Sequence, residues 1–360
     1  MRRNRAQAVE AEQVIEVAQG SNDSASAQRS ASSVVYPTGI RLVSLVVALD
    51  LCVFVIGLDG TITANAVPRI TDEFGSTNQS GWYTAAYRVA SCASQLFQGQ
   101  LLAIYNLKPV LLINLILFEA GALLSGAAPS SNVFIVGRAI TGLGFAGVTQ
   151  GCLVMITKIC PLKTRPFYLG LVSASEFIAI AVAPLLGGLI TTELSWRWCF
   201  YVNAILAVLP AMAVSLCYHQ PAGTAQVPVS RPAFFRSVDA PGIASFAPSI
   251  VCLLLALQWG GSTYSWSSVP IILLLGFSFL IAVVFFCIEL RRSNSAMLPL
   301  HLLKRPSILL SSLYAFSLAA LLGITQNYVR NVNLVPGSQS YFGIAIRRQA
   351  TCAGSESSRC

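Results

Sequence analysis

The chain has 360 residues, a formal net charge of +9 at pH 7, 55% hydrophobic residues and 10% charged residues. A soluble chain of this length needs far more polar surface, so the composition excludes an ordinary soluble domain. The positive charge does not indicate a nucleic-acid-binding protein, because the Lys and Arg residues cluster in the polar segments between long apolar blocks.

Nine apolar blocks follow one another along the chain, each of about the length that crosses a bilayer. A helix of about 20 residues spans a hydrocarbon layer of about 30 Å, and backbone polar groups cannot remain unpaired in lipid. We therefore predict an all-α, polytopic membrane protein with about nine spans. The blocks lie at 42–64, 80–102, 109–128, 133–157, 167–190, 199–217, 243–259, 269–289 and 307–328.

The distribution of basic residues predicts the orientation of these spans. If the N-terminus is cytosolic, most Lys and Arg residues up to Arg305 fall on the cytosolic side, whereas the outer loops carry Arg69 and Arg197. Basic loops are retained on the cytosolic side of a membrane. We therefore predict a multi-pass membrane protein with a cytosolic N-terminus.

The polar segments divide the chain into six parts. The first part is polar and rich in Ala, Ser and Gln, with no apolar core behind its basic start, which predicts a disordered cytosolic tail rather than a signal peptide. Four prolines keep the linker from continuing the sixth helix. The predicted parts are a tail (1–40), a six-helix bundle (41–218), a linker (219–241), a two-helix insertion (242–290), the start of a second bundle (291–328) and an aberrant polar tail (329–360).

Ionisable side chains inside the predicted spans are the candidate functional residues, because each costs at least about 2.5–3.5 kcal/mol to insert. Asp59 and Arg138 each lie about five residues from the outer end of their helices, which predicts the same depth in the membrane. A buried carboxylate beside a guanidinium can take up or release a proton. We therefore predict a proton-coupling pair, with a static structural ion pair as the alternative.

Four further ionisable residues lie in the spans. Arg88 and Glu119 each lie about eight residues from the outer end of their helices, so the same depth argument predicts a structural ion pair between them. Asp50 lies half a helical turn from Asp59 and receives no role. For Glu176 three roles stay open: it lines a cavity, it binds a cation or it packs against a polar neighbour.

Small residues at helical spacing predict close helix contacts. In lipid, such stripes let two backbones approach and slide. The fourth block carries Gly142, Gly144, Gly147 and Gly151, and the fifth carries Ala179, Ala183 and Gly187 with Pro184 and Gly188 alongside.

The remaining reactive residue types predict neither an enzyme nor a metal or cofactor site. Eight cysteines, from Cys52 to Cys287, fall in or beside apolar blocks without short paired spacing, which is typical of packing residues. The two histidines, His219 and His301, lie in loops, and the chain shows no phosphate-binding loop.

Several stretches of the chain resemble one transporter family. The stretch LDGTITANAVPRI (58–70) resembles the first-helix motif LDxTIVxxALPxI, and RAITGLGFAG (138–147) resembles the fourth-helix motif RxxqGxgaA. The stretch APLLGG (183–188) is similar to the fifth-helix antiporter motif GPxxGG, with Ala183 in place of its first glycine. With SWRWCFYVN (195–203) and VDAPG…LLLALQWGG (238–261), these stretches are similar to the fourteen-span drug:proton antiporter branch of the major facilitator superfamily, a branch common in fungi.

The chain also departs from the family pattern. The second-to-third loop motif GxLaDrxGrk is degenerate here as GQLLAIYNLK (99–108), with Ala103 and Ile104 in place of its acid and first arginine. Arg88 stands where the family usually has an apolar residue. The resemblance covers about residues 41–328, whereas a family member would continue for five more helices.

The resemblance implies proton-coupled export of a small, amphipathic organic compound across the plasma membrane rather than the vacuolar membrane. Asp59 would be the protonation switch and Arg138 its partner, while Gly187 and Gly188 would provide a helix contact that permits rocking. The implied partners are the substrate, protons and the lipid bilayer, and no nucleic acid. The alternative is a truncated, non-transporting membrane protein or the product of a disrupted gene; an oligomer that covers the missing bundle is also open.

Overall fold

The computed structural model describes residues 37–76, 79–218, 239–261, 263–291 and 305–334. These ranges contain nine α-helices, one at each predicted block, so the all-α prediction is confirmed. The predicted tails before residue 37 and after residue 334, and most of the predicted linker, lie outside the described residues. The helices are α1 (Ile40–Phe74), α2 (Ser80–Ile104), α3 (Leu107–Gly126), α4 (Ser131–Ile159), α5 (Arg165–Glu193), α6 (Trp198–Cys217), α7 (Ala240–Trp259), α8 (Val269–Arg291) and α9 (Pro306–Leu334).

Seven of these helices are long and apolar enough to cross a membrane, which confirms a multi-pass membrane protein. The second and ninth predicted spans do not meet that standard. Helix α2 carries Arg88, Gln95 and Gln98 along its length, and in the described part of α9 the apolar stretch Pro306–Leu321 is shorter than a span. Helix α2 packs against α4 and α7. Of its polar side chains, Gln98 is buried, whereas Arg88 and Gln95 are exposed.

Helix α1 runs ten residues further than its apolar block predicts. Pro68 lies inside the helix without ending it, and the polar residues up to Phe74 continue the last turns. The helix ends at Gly75, whose φ of 58° is in the left-handed region that glycine adopts without strain, and whose N–H donates to the carbonyl of Thr71.

The six-helix bundle is formed by α1–α6. Helix α1 packs against α5 and α6, α3 packs against α4 and α6, and α2 packs against α4. Buried apolar side chains form two clusters, one around Leu49, Leu111 and Ile156 and the other around Ile62, Phe134 and Phe200. We call the two ends of the bundle the Lys108 end and the Glu73 end.

At each end of the bundle, a basic side chain donates hydrogen bonds to backbone carbonyls of a neighbouring helix. At the Lys108 end, Lys108 Nζ donates to the carbonyls of Ser215 and Tyr218 at 2.6 and 3.1 Å. At the Glu73 end, Arg197 pairs with Glu73 at 2.7 Å and donates to the carbonyls of Gly126 and Ala128. These contacts cap the C-terminal ends of α3 and α6, whose last carbonyls have no partner within the helix.

Helices α7 and α8 correspond to the predicted two-helix insertion, and α7 packs against α2. Trp259 of α7 lies edge-on to Trp82 of α2, with ring centroids 5.9 Å apart, and the backbone N–H of Asp239 donates to the side chain of Gln100. Helices α7 and α8 are joined by a reciprocal pair of hydrogen bonds between Ser249 and Ser278. Helix α9 belongs to a separate compact unit that begins at Glu289.

A buried ion pair as the candidate functional site

The side chains of Asp59 on α1 and Arg138 on α4 form an ion pair inside the bundle. Arg138 Nη1 lies 2.9 Å from Asp59 Oδ2 and 3.1 Å from Asp59 Oδ1, and the two side chains are 0% and 1% exposed. The equal depth predicted from the sequence therefore brings the two residues into contact. On α4, Arg138 lies between Phe134 of one apolar cluster and Val148 of the other.

Helix α6 supplies a third polar partner that the sequence analysis missed. Asn203 is fully buried, and its Nδ2 donates to Asp59 Oδ1 at 3.2 Å. Asn203 is the last residue of the stretch SWRWCFYVN, so the motif that carries the family resemblance contains the signal. The Asp59 carboxylate thus joins three helices, α1, α4 and α6.

Aromatic rings cover the guanidinium of Arg138. Its Cζ lies 4.6 Å from the centroid of the Tyr87 ring and 5.8 Å from that of the Phe200 ring. Such contacts are worth about 2 kcal/mol or more where the cation is removed from water. Tyr87 is a second residue that sequence reasoning missed, because a tyrosine in an apolar helix gives no separate signal.

Gly142 allows Tyr87 to reach this position. A methyl group added at Gly142 would meet the backbone oxygen of Tyr87, so glycine is what permits α2 and α4 to approach this closely. Gly144 plays the same part toward α3, where an added methyl would meet the backbone of Phe118. Both glycines therefore lie at close helix contacts.

The small residues of the predicted stripe on α5, Ala179, Ala183 and Gly187, are buried. A methyl group at Gly187 would lie 3.0 Å from atoms of Ile62 and Asn65 on α1, and Asn65 Nδ2 donates to the carbonyl of Pro184 at 3.3 Å. In contrast, a methyl group at Gly188 would meet no atom within 4 Å. Gly188, the neighbour of Gly187 in the sequence, thus has no described atom close to the side on which a Cβ would project.

The predicted ion pair between Arg88 and Glu119 does not form in the described structure. Both carboxylate oxygens of Glu119 are buried and accept no hydrogen bond from any described residue. Arg88 is exposed on α2, and its charge interacts with that of Glu176 on α5. Equal depth predicts how far two residues lie along the membrane normal, but it does not predict whether their helices are neighbours. Helix α3 packs against α4 and α6 and has little contact with α2.

Neither of the two remaining ionisable residues forms an ion pair with a described residue. Asp50 is half-buried toward α5, where Ser175 Oγ donates to its backbone carbonyl at 3.3 Å. Glu176 is exposed on α5 and is not packed as a buried polar contact.

The buried carboxylate of Asp59 is held by one positive charge, that of Arg138, and by one amide donor, that of Asn203. Addition of a proton to Asp59 would remove the negative charge and leave Arg138 buried without its counter-ion. Such a change is costly in a low-dielectric interior, so it favours a rearrangement of the three helices that the carboxylate joins.

The comparisons with known proteins identify the family. A family model described as Major Facilitator Superfamily matches residues 49–336. The chain is 40% identical over 292 residues to "Efflux pump aflT" of Aspergillus parasiticus, covering 81% of this chain and 57% of that protein. It is 39% identical over 287 residues to "Rubrofusarin-specific efflux pump aurT" of Gibberella zeae, covering 80% and 52% respectively. The chain thus spans about half the length of the curated relatives it matches.

A solved structure of a bacterial homolog to the human lysosomal transporter Spinster is also similar, with 17% identity, a TM-score of 0.47 and coverage of 69% of this chain and 60% of that one. The family model covers well over half of the chain, and the relatives named above share about two residues in five with it. This chain belongs to the Major Facilitator Superfamily.

Proposed function

We propose that this chain provides the proton-handling bundle of an exporter of small organic compounds. The observation that carries the proposal is the fully buried Asp59–Arg138 pair with Asn203 as a third partner. The names of the relatives support export, because two of them are efflux pumps of fungi. The substrate would be a small amphipathic compound such as a secondary metabolite.

In the proposed mechanism, Asp59 is the protonation switch and Arg138 is its charge partner. Protonation breaks the ion pair and weakens the connection between α1, α4 and α6, whereas deprotonation restores it. In transporters of this kind, substrate binds near the midplane between two bundles that rock alternately. The close contact of α1 with α5 at Gly187 would let these helices shift together. The N-terminus would be cytosolic and the membrane would be the plasma membrane.

The experiment tests whether export depends on Asp59. Residues 41–328 are joined to the remainder of the efflux pump aflT, and the fusion is expressed in cells that lack their own exporters. We expect efflux of a fluorescent amphiphile that requires a proton gradient and that Asp59→Asn abolishes while the protein stays in the membrane.

The matched control is Asp72→Asn, which removes an exposed carboxylate from the same helix and should leave efflux intact. Unchanged efflux in the Asp59→Asn variant would remove Asp59 from the mechanism. The alternative, a membrane protein that does not transport, predicts that the fusion exports nothing in any variant although it reaches the membrane.

A further inference from the structure

Arg88 on α2 is the exposed positive charge that the proposed mechanism does not use. Its side chain forms no ion pair within 4 Å with a described residue. Arg88 is the ninth residue of α2, so its backbone lies about 12 Å from the start of that helix. A guanidinium at such a depth is costly beside lipid, and it therefore faces water or an anionic partner.

The guanidinium of Arg88 lies close to the buried ion pair. Its Cζ is 5.9 Å from the centroid of the Tyr87 ring, and the centroid of the same ring is 4.6 Å from Cζ of Arg138. The ring therefore contacts two cations, one exposed and one buried. A ligand bound at Arg88 would be one side chain away from the Asp59–Arg138 pair.

Arg88 and Gln95 share one face of α2, and both are exposed. Seven residues separate them, which places them about 10 Å apart along the helix and about 20° apart around it. The contacts of α2 with its neighbours lie on other faces, because Trp82 meets α7 and Tyr87 meets α4. No described helix therefore covers the face that carries Arg88 and Gln95.

Helix α4 brings a second amide to this face. Gln150 Nε2 donates to the backbone carbonyl of Gln95 at 2.9 Å, and a methyl group added at Gly99 would lie 3.4 Å from Gln150 Oε1. The side chain of Gln150 thus lies along α2, about two helical turns from Arg88. We call Arg88, Gln95 and Gln150 the Arg88 face, which has a cation at one end and neutral amides at the other.

Glu176 on α5 is the carboxylate that competes for Arg88. The charge of Arg88 acts on Glu176, but the two groups do not come within 4 Å of each other. The Glu176 side chain packs beside α1 instead, where a methyl group added at Gly57 would lie 3.5 Å from its Cγ. The guanidinium of Arg88 therefore keeps its donors available to an anion that approaches the open face.

We propose that the Arg88 face binds the substrate and that the substrate is a small, largely apolar organic acid whose carboxylate pairs with Arg88. The planar guanidinium presents parallel N–H groups that match a carboxylate. The distance of about 10 Å from Arg88 to Gln95 suits a molecule of two fused rings, whose far end meets the two amides. This inference rests on the proposed export and deepens it, because it names the class of substrate.

The first test measures binding and needs no export. The purified 360-residue chain in nanodiscs of zwitterionic lipid is titrated with radiolabelled 2-naphthoate and 2-naphthamide, which share one ring system and differ in charge. We expect saturable binding of 2-naphthoate with an affinity about tenfold above that of 2-naphthamide. Equal affinities, or no saturable binding of either probe, would overturn the proposal.

Three variants assign the preference for the acid to Arg88. Arg88→Gln should remove the preference and leave 2-naphthamide binding unchanged, which also shows that the variant is folded. Glu176→Gln should tighten 2-naphthoate binding, because it removes a competing negative charge. The matched control, Arg69→Gln, changes an exposed arginine of α1 and should keep the preference. A preference that survives in Arg88→Gln would contradict the assignment.

The second test separates this inference from the proposed function. In the fusion with the remainder of the efflux pump aflT, Asp59→Asn should abolish efflux of both naphthalene probes, which are fluorescent. Arg88→Gln should reduce efflux of 2-naphthoate alone, and an equal loss of both probes would overturn the proposal. Absence of efflux in every variant would count against the proposed function, and the binding measurement would then decide the substrate class by itself.

Discussion

Arg138 is the residue on which the packing at the centre of the bundle depends. It is among the largest fully buried side chains described, and it combines an ion pair with two aromatic contacts. A long side chain with a delocalised charge can satisfy both kinds of partner at once. Lysine would supply the charge without the planar group that lies against the Tyr87 ring.

Removal of the guanidinium should therefore destabilise the bundle strongly. We expect Arg138→Met to lower stability by about 3–5 kcal/mol, because it leaves Asp59 buried without its counter-ion. Addition of Asp59→Asn to this variant should recover a large part of the loss. The thermal unfolding midpoint in detergent measures both effects.

The control for this prediction is Arg88→Met, which removes an exposed arginine that forms no ion pair within 4 Å with a described residue. Its midpoint should stay close to that of the unmodified chain. A loss in Arg138→Met no larger than the loss in Arg88→Met would show that the buried pair does not hold the bundle together.

At the scale of the helices, glycine positions decide how closely two elements approach. Gly142 lies where α2 and α4 meet, and it allows the Tyr87 ring to cover Arg138. Gly187 lies in the contact of α5 with α1, whereas Gly188 on the next position faces open space. Glycine thus has a packing role at Gly142 and Gly187, whereas Gly188 makes no described contact.

A pair of alanine substitutions tests this distinction. Gly142→Ala should cost about 1–3 kcal/mol, because the added methyl meets a backbone oxygen that cannot move aside independently of α2. Gly188→Ala should be neutral or slightly stabilising, since alanine favours a helix over glycine. Thermal unfolding of the two variants gives the comparison, and equal midpoints would contradict the packing at Gly142.

At the scale of the whole molecule, the charge distribution predicts the orientation of the helices in the membrane. The loop between α7 and α8 is uncharged and contains exposed aromatic residues such as Trp266, which is typical of a membrane interface. If the N-terminus is cytosolic, this loop faces the outside. The basic segment that follows α8 then faces the cytosol.

Cysteine labelling checks this orientation. A cysteine introduced at the exposed residue Ser265 should react with a membrane-impermeant reagent in intact cells. The unmodified chain gives the background from its own cysteines. Reaction of Ser265→Cys only after permeabilisation would reverse the proposed topology.

A second prediction at this scale concerns transport by residues 1–360 alone. Alternating access uses two bundles that close in turn on a common site, and one six-helix bundle is formed here by α1–α6. We therefore expect no proton-gradient-dependent efflux of fluorescent amphiphiles above the level of cells with an empty vector. Efflux that Asp59→Asn abolishes would show that these residues suffice, for example as an oligomer.

The sequence by itself determined the properties that depend on composition and spacing. Apolar blocks of spanning length predicted all nine helices, because backbone groups in lipid leave few alternatives. Two motifs at corresponding depths predicted that Asp59 and Arg138 would meet, and they lie within hydrogen-bonding distance. The family was likewise readable from its motifs.

Only the tertiary structure decided which faces of the helices meet. Helix length and depth do not fix rotation about the helix axis, so the same reasoning that placed Asp59 beside Arg138 wrongly paired Arg88 with Glu119. Rotation is set by the packing of α3 against α4 and α6, which buries Glu119 and leaves Arg88 exposed. The same packing brings Asn203 and Tyr87 to the ion pair and leaves Gly188 without a described neighbour. Each of these results depends on which helices lie side by side, and the helices concerned are far apart in the chain.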